Sequence, residues 1–318
     1  MSSTARRLDG TAVAAAIRAE LLPQVASFTR AAGRAPALSI VLVGDDPASQ
    51  VYVRNKERDG GAAGLDVTVH RLEAASRLGD VLSLVRRLNA DAACDGILVQ
   101  SPLPAAMGKN AAERVFDAID PAKDVDCFHP ENVGRLVQGR AVLKPCTPAG
   151  VIELLTREGV AVEGRHAVVI GRSDIVGKPM ALLLLQANAT VTVCHSRTSD
   201  LGAVVRLGDI VVSAIGRPGF VTPDMIKPGA AVVDVGTTPI SDRGLVAKLF
   251  GDASARLTAF DKRGSTVVGD VHPDVAGVAS ALSPVPGGVG PLTVTMLLKN
   301  TLAAALQRHR ESSETGSL

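Results

Sequence analysis

Leu38-Ser-Ile-Val-Leu-Val-Gly-Asp-Asp-Pro-Ala-Ser-Gln-Val-Tyr-Val-Arg-Asn-Lys56 is the stretch on which the fold turns. Its first residues make a nearly continuous apolar, β-branched run closed by Gly44, the composition of a strand buried on both faces. Asp45-Asp46-Pro47 then reads as a helix start. Asp46 suits the cap, and Pro47 suits the first helical position, where its missing N–H costs nothing. Ser49, Tyr52 and Lys56 follow at i, i+3 and i+7, so a helix places all three on one face. Tyr52 is also the one tyrosine of a chain without tryptophan, a rare large aromatic surface for a planar ligand. A tyrosine and a lysine at helical spacing are more often an ordinary solvated face than a catalytic one, so the rest of the chain has to decide.

Working outward, Thr11 to Leu22 is rich in helix formers and repeats Val13, Ile17 and Leu21 at i+4, a helix expected to pack on the first sheet. On the other side a strand over Asp66–His70, a helix over 76–90 and a strand over Asp95–Gln100 alternate. That alternation argues a parallel sheet with right-handed crossovers. Ligands of such sheets collect beyond the carboxyl ends of the strands, where Lys56 and Gln100 fall. Gln100 is followed by Ser-Pro-Leu-Pro104, whose prolines end the strand and direct the chain outward. In Lys123-Asp-Val-Asp-Cys-Phe-His-Pro130 the carboxylates of Asp124 and Asp126 flank Val125. An extended backbone there would point both to one side, as a pair able to tune a nearby lysine, although acidic loop residues commonly just face water.

Thr147-Pro148 reads as a cap and first-turn proline for a helix closed by Gly159, leading into a second domain. That domain opens with His166-Ala-Val-Val-Ile-Gly-Arg-Ser-Asp-Ile-Val-Gly-Lys-Pro179, a strand, a turn with Gly171 and Gly177, and a helix start, which is the form of a phosphate cradle. Ser173 stands where the usual fingerprint has its second glycine. Strands over Thr190–Cys194, Asp209–Ile215 and Ala230–Gly236 follow at the intervals of a Rossmann-type sheet. At the end of the second strand stands His195-Ser-Arg-Thr198 instead of the acidic residue that suits NAD. Hydroxyls and arginines, Arg197 here and Arg172 in the glycine turn, favour a 2′-phosphate and therefore NADP. Ser241 to Gly264, rich in charged and small residues, is expected to be an insertion or a surface excursion ahead of Ser265–Asp270. Gly287 and Gly288, in the turn from Ser283 to Thr293, would let backbone amides approach a ligand. An apolar helix and then a disordered tail over 309–318 complete the chain.

Composition narrows the classes. The 318 residues are 46% hydrophobic, enough for two α/β domains with sizeable cores. Lys and Arg total 34 against 32 for Asp and Glu, a net charge of +2, too balanced to drive nucleic-acid or membrane binding. Cys94, Cys127, Cys146 and Cys194 are dispersed without a C-x-x-C pair, which suggests reduced core thiols in a cytoplasmic protein and no metal site. Arg6 and Arg7 are not followed by an apolar targeting core, and no run of about 18 apolar residues occurs.

Six motifs in this order, YVRNK (52–56), DGILVQSPLP (95–104), KDVDCFHP (123–130), PCTPAG (145–150), GRSDIVGKP (171–179) and SPVPGGVGPLT (283–293), resemble the bifunctional methylenetetrahydrofolate dehydrogenase/cyclohydrolase family from about Asp9 to about Leu306. The resemblance implies a parallel α/β catalytic domain over 1–146, completed by a C-terminal helix over about 290–308, and a Rossmann-type NADP-binding domain over 147–289, with a cleft between them. It implies oxidation of 5,10-methylenetetrahydrofolate with NADP, hydrolysis of the methenyl product to 10-formyltetrahydrofolate, and a homodimer. Matched position by position, Lys56 is the catalytic lysine, Tyr52 the tyrosine beside the pterin, Gln100 the lysine's partner, Asp126 the folate-binding aspartate and Asp124 its supporting acid. Pro286, Gly287 and Gly288 lie against folate. Gly171, Arg172, Ser173, Ser196 and Thr237 match the NADP contacts, and Arg197 joins them by its charge and position. Ser101, Cys127, Ser283 and Thr237-Thr238 depart from the usual leucine, glycine, threonine and Ile-Asn. On the residues alone, a Rossmann dehydrogenase for another small substrate, such as an amino acid or shikimate, stays open, as does a family member reduced to binding.

Overall fold

The computed structural model describes residues 4–315, with side chains to residue 311. In chain order it begins with β1 (Arg6–Arg7), α1 (Gly10–Ala32), β2 (Ala37–Val43), α2 (Pro47–Ala62), β3 (Asp66–Leu72), α3 (Leu78–Ala90) and β4 (Gly96–Val99). Next come α4 (Ala111–Phe116), α5 (Pro130–Val137), α6 (Cys146–Arg157), β5 (His166–Ile170), α7 (Gly177–Gln186), β6 (Thr190–Cys194), α8 (Leu201–Val205), β7 (Ile210–Ser213) and β8 (Ala231–Asp234). Last are β9 (Thr238–Ile240), α9 (Arg243–Phe250), α10 (Ala255–Arg263), β10 (Thr266–Val268), β11 (Ala281–Leu282) and α11 (Val289–Thr315).

The chain forms two compact units: residues up to Ala14 with Thr147–Thr293, and Ala15–Cys146 with residues from Val294 onward. The opening residues therefore belong with the nucleotide-type sheet, unlike the expected boundary of 1–146. The reason is a strand too short to read in sequence, since β1 adds its two residues in parallel to β11.

In the unit built on Ala15–Cys146, β2 lies between β3 and β4, all parallel. One face of this sheet carries Val41, Val43, Ile97 and Val99 against Val81, Leu84, Val85 and Leu88 of α3. Those helix positions are the i, i+3, i+4, i+7 stripe of an amphipathic helix, and each fully buried Val or Leu is worth roughly 1.5–3 kcal/mol. The end of α3 is closed from outside by a buried amine: Lys123 Nζ donates to the carbonyls of Leu88, Asn89 and Asp91 at 2.8, 2.7 and 2.7 Å. The Leu88 and Asn89 carbonyls, in the last turn, have no N–H partner within the helix, and Asp91 O also accepts from Cys94 N, so the lysine completes this helix end and fixes the start of the Asp124–Asp126 loop. Arg34 grips the fully buried Asp95 through two bonds of 2.6 and 2.8 Å, tying the base of β2 to that of β4.

Helix α1 continues through Pro23, ten residues past the expected end at Leu22, because Val25 and Phe28 extend the buried stripe of Ile17 and Leu21. Helix α11 likewise runs to Thr315 in place of the tail expected from residue 309, and residues 316–318 lie outside the described ones. It is long and apolar enough to span a membrane, yet two-thirds of that window, 67%, is buried, with Leu297, Leu298 and Leu302 in the core.

The other unit is a six-stranded parallel sheet in the order β1-β11-β8-β7-β5-β6. Parallel pairing sends the chain out of β5, β6, β7, β8 and β11 along one edge, so five loops share that rim. Helix α6 begins at Cys146, one residue before the expected Thr147 cap, and the Thr147 hydroxyl instead bonds that of Thr293 at 3.0 Å. The Ser241–Gly264 segment carries the two helices α9 and α10. Strands β9 and β10 pair antiparallel as a separate ribbon, and α9 and α10 close a small core of Ile240, Val246, Leu249, Leu257, Phe260 and Val268. Asp242 and Ser254 cap the two helices by accepting from Leu245 and Leu257 N–H.

Candidate active site

Helix α2 starts as its sequence requires, with the Asp46 carboxylate accepting from Ser49 N at 2.8 Å and Pro47 in the first turn. Its buried stripe is Ser49, Val53, Lys56 and Gly60. Gly60 is needed there, because a Cβ would come 2.5 Å from the Val67 side chain. Tyr52 lies at the border of this stripe with 37% of its surface exposed, so the face expected to carry three side chains buries only Ser49 and Lys56. The Ser49 hydroxyl oxygen is enclosed without a hydrogen-bond partner.

Lys56 is only 8% exposed, and its Nζ donates to Gln100 Oε1 at 2.8 Å. The Gln100 Nε2 is committed to the Ser101 carbonyl at 2.8 Å, which turns the amide oxygen toward the lysine. The Ser101 departure is therefore harmless, because the contact uses backbone. Burial lowers the Lys56 pKa, and the charge of Asp126 opposes the fall. Burial likewise raises the Asp126 pKa, with Lys56 opposing. Each charge moderates what desolvation does to the other.

The two aspartates do not form the expected same-side pair. Asp124 bridges to Ile97 beside β4, whereas Val125 and Asp126 lie in a turn. Asp124, 1% exposed, accepts from His129 N at 2.8 Å and Asn132 Nδ2 at 3.0 Å. Burial pushes its pKa up to about 6, and its bonds organise the entry to α5. Cys127, where a glycine is usual, has φ +63°, and its thiol donates to Leu143 O at 3.2 Å. The left-handed backbone that favours glycine is kept, at a cost of roughly 1–2 kcal/mol.

One residue of the cluster was missed. Cys146 is buried and its thiol donates to Val125 O at 3.4 Å, next to Asp126, with burial raising the thiol pKa well above its ordinary value. Asn300 of α11 donates to Val125 O and Lys144 O at 2.8 and 2.7 Å and so joins the two loops that carry Asp126 and Cys146. No sequence spacing links positions 126, 146 and 300.

In the nucleotide-type unit the turn after β5 is as close as a phosphate cradle needs. Gly171 has φ +127°, and a Cβ on it would stand 2.5 Å from Ala214 O. On Gly177, at the start of α7, a Cβ would stand 2.4 Å from Gly171 O. Ser173 Oγ accepts from the N–H groups of Val176 and Gly177, both at 3.2 Å, so this departure from glycine caps the helix. Arg172, Ser196, Arg197 and Thr237 are exposed along the same rim. The turn of His195 to Thr198 is self-supporting: the Thr198 hydroxyl accepts from His195 N, and His195 Nδ1 accepts from Arg197 N.

Two buried carboxylates under this rim were also not foreseen. Asp270 accepts from Ser213 Oγ, Ile215 N and Arg217 N at 3.1, 2.8 and 2.7 Å, fixing the loop after β7. Asp234 accepts from Gly236, Asp270 and Val271 N–H, each at 2.9 Å, fixing the turn that presents Thr237. Burial, and secondarily Asp270, push its pKa up to about 7.

The loop after β11 reaches the same rim. Pro286 is exposed, Gly287 has φ +98°, and a Cβ on Gly288 would meet Pro284 O at 2.5 Å. The Gly287 carbonyl accepts from Thr11 N at 3.1 Å and Thr11 Oγ at 3.3 Å. A Cβ on Gly10 would come 1.7 Å from Gly288 O, so the N-terminal segment is pressed against this loop.

A glycine cradle on a parallel sheet, in a chain that also buries a lysine against a glutamine, defines a nucleotide-dependent enzyme. Comparison with known proteins makes this particular. The model of the tetrahydrofolate dehydrogenase/cyclohydrolase catalytic domain matches residues 8–126, and that of the NAD(P)-binding domain matches residues 145–309. The bifunctional protein FolD of Koribacter versatilis is 52% identical over 301 residues, covering 95% of this chain and 97% of the relative. The FolD crystal structure from Trypanosoma brucei, complexed with NADP cofactor and inhibitor, is 43% identical with TM-score 0.86, covering 96% of this chain and 99% of that one. FolD of Campylobacter jejuni is 40% identical with TM-score 0.83, covering 95% and 98%. The chain belongs to the tetrahydrofolate dehydrogenase/cyclohydrolase family. It is a bifunctional oxidoreductase and hydrolase with an NAD(P)-binding domain.

Proposed function

We propose that Lys56 is the acid/base of the hydrolytic reaction and that the chain acts on 5,10-methylene- and 5,10-methenyltetrahydrofolate. The observation that carries this reading is the buried Lys56 amine bound to Gln100 Oε1, with its pKa lowered by burial. A neutral amine accepts a proton from water as the water oxygen bonds to the methenyl carbon, and returns it to N5 as the C–N5 bond breaks, while the hydroxyl proton of the adduct is released to solvent and leaves the formyl group on N10. Gln100 orients the amine without adding charge, and Asp126 keeps its pKa from falling too far. Asp126 also binds folate, and Tyr52 stacks on the pterin with its half-exposed ring.

NADP, when bound, takes the hydride from the one-carbon unit of the methylene substrate. Gly171 and Ser173 receive its phosphates, Arg172, Ser196 and Arg197 its 2′-phosphate, and Thr237 the nicotinamide side. The lack of room for a Cβ at Gly171 and Gly177 supports a cradle built for phosphate. Pro286, Gly287 and Gly288 contact folate. Catalysis of the hydride step then consists mainly of alignment.

We further propose a cytoplasmic homodimer whose ligands are these small molecules, without nucleic acid or membrane. The sheet edge at β6, with exposed Val193 and with exposed Leu185 on the adjoining α7, favours pairing with a second copy. Light scattering on the purified protein tests it, and a monomer at micromolar concentration refutes it.

Assays of NADP reduction with methylenetetrahydrofolate and of methenyl hydrolysis, on wild type and Lys56→Met, test the catalytic assignment. Hydrolysis should be lost and the oxidation less affected. A folded variant with full hydrolysis would show that the lysine is structural.

A further inference from the structure

The ribbon and helices over 238–268 have no part in the function proposed above, yet one of their side chains reaches the loop assigned to folate. Arg256, on α10, donates through one nitrogen, Nη2, to two carbonyls, those of Val267 in β10 and Val285 in the loop, the latter at 2.6 Å. The guanidinium also lies 4.9 Å from the centre of the Phe250 ring. Val267 faces Pro239 across the ribbon, which has no N–H to give, and Val285 stands between Pro284 and Pro286. One charged nitrogen serves both carbonyls, while the buried Nε of the same guanidinium makes no hydrogen bond among the described residues.

The loop is thereby gripped at every second residue. Ser283 is held by Asp234, whose N–H donates to its hydroxyl at 2.8 Å. Val285 is held by Arg256, and Gly287 by Thr11. The anchors come from β8, from α10 and from the N-terminal segment, and the residues between and after them are Pro284, Pro286 and Gly288. The middle anchor and the Gly287 anchor flank Pro286 on its two sides, and of the three named anchors the middle one is supplied by the 238–268 layer.

We propose that Arg256 is a positioning residue for folate: the 238–268 layer is a brace that sets the Pro286-Gly287-Gly288 backbone through the Arg256–Val285 bond. The inference rests on the reading of residues 286–288 as a folate contact. The layer's own core of Val246, Leu249, Leu257 and Phe260 makes α10 rigid enough for that task. The cost of keeping the guanidinium partly desolvated, which lowers its pKa, is accepted there.

The test uses the full-length enzyme with Arg256→Ala, Arg256→Lys, Gly287→Ala as a probe of the loop itself, and Arg243→Ala as a control. Arg243 pairs with the exposed Asp261 inside the same layer, away from the 283–288 loop in sequence and in its hydrogen bonding. Steady-state kinetics of both activities, NADP affinity by fluorescence and the thermal midpoint are measured for each. Arg256→Ala should raise KM for the methylene and the methenyl substrate together, about tenfold, with kcat and NADP affinity within about twofold of wild type. Arg256→Lys, with its charge and one donor group kept, should fall between, and Arg243→Ala should match wild type.

Raised folate KM in Gly287→Ala with wild-type KM in Arg256→Ala would overturn the brace while leaving the loop reading intact. No change in either variant would overturn both. Loss of NADP affinity and thermal midpoint along with folate KM would reduce Arg256 to a general structural role. Should Arg256→Ala not fold, Arg256→Lys decides: wild-type folate KM refutes the proposal, and a selective rise sustains it.

Discussion

Asp234 should make the nucleotide-type unit lose stability as pH rises through neutrality. Its carboxyl is almost wholly buried, and burial with the neighbouring Asp270 moves its pKa from the ordinary 3.8 to about 7. Because the folded value lies above the unfolded one, the folded state binds the proton more tightly. The stabilisation is complete below pH 4 and gone once pH passes 7. Between pH 5 and pH 8 the loss from this one group comes to about 2.5 kcal/mol, out of about 4 kcal/mol for the full interval at 1.36 kcal/mol per pH unit. Asp234→Asn removes the titration. It keeps the Oδ1 bonds to Gly236 and Asp270 N–H but sets an amide N–H against that of Val271, a pH-independent cost of roughly 1–3 kcal/mol. Hydrogen exchange, corrected for intrinsic rates, on peptides covering 231–236 and 267–272 reads the opening free energy at each pH. Wild type should fall by about 2.5 kcal/mol from pH 5 to pH 8, as derived above, and the variant should stay level. Equal slopes in both proteins would refute the argument, because the pH dependence would then come from elsewhere.

Three further outcomes are expected. Gln100→Leu removes the acceptor that favours charged Lys56, so the lysine pKa should drop further. The hydrolysis rate should fall on the order of tenfold or more and its acidic limb, set by protonation of the amine, move to lower pH, as a pH–rate profile would show. Gly177→Ala drives a Cβ into the Gly171 carbonyl and must open the glycine turn, so NADP should bind on the order of tenfold more weakly in fluorescence titration while folate affinity holds. Arg172→Ala and Arg197→Ala should each weaken NADP on the order of tenfold and leave NAD unchanged in parallel saturation curves, which would show that the arginines read the 2′-phosphate.

Much of this protein was legible because its signals are local. The strand before Gly44, the Asp46–Pro47 helix start and the turn from Gly171 to Gly177 depend on residues within one or two turns of one another, and each appears within about a residue of its expected place. Where expectations departed from the structure, contacts distant in sequence intervened. The Asp124–Asp126 alternation gave way to a turn because Asp124 is claimed by His129 and Asn132. The polar stretch over 241–264 became a folded layer because β9 could pair with β10 and cover an apolar core.

The sequence by itself determined the class of fold, the family and the identity of the side chains available for chemistry, since periodicity, caps and motifs are written in neighbouring residues. Only the tertiary structure decided which of those side chains are buried and what they face. A lysine on an amphipathic helix is an ordinary surface residue until a strand 44 positions away supplies the amide oxygen that receives it. A cysteine at the start of a helix is core filling until a folded loop brings Val125 O to its thiol and the charge of Asp126 beside it. Desolvation and close polar contact are set by packing among residues far apart in the chain, and it is those two forces that turn available groups into a reactive one.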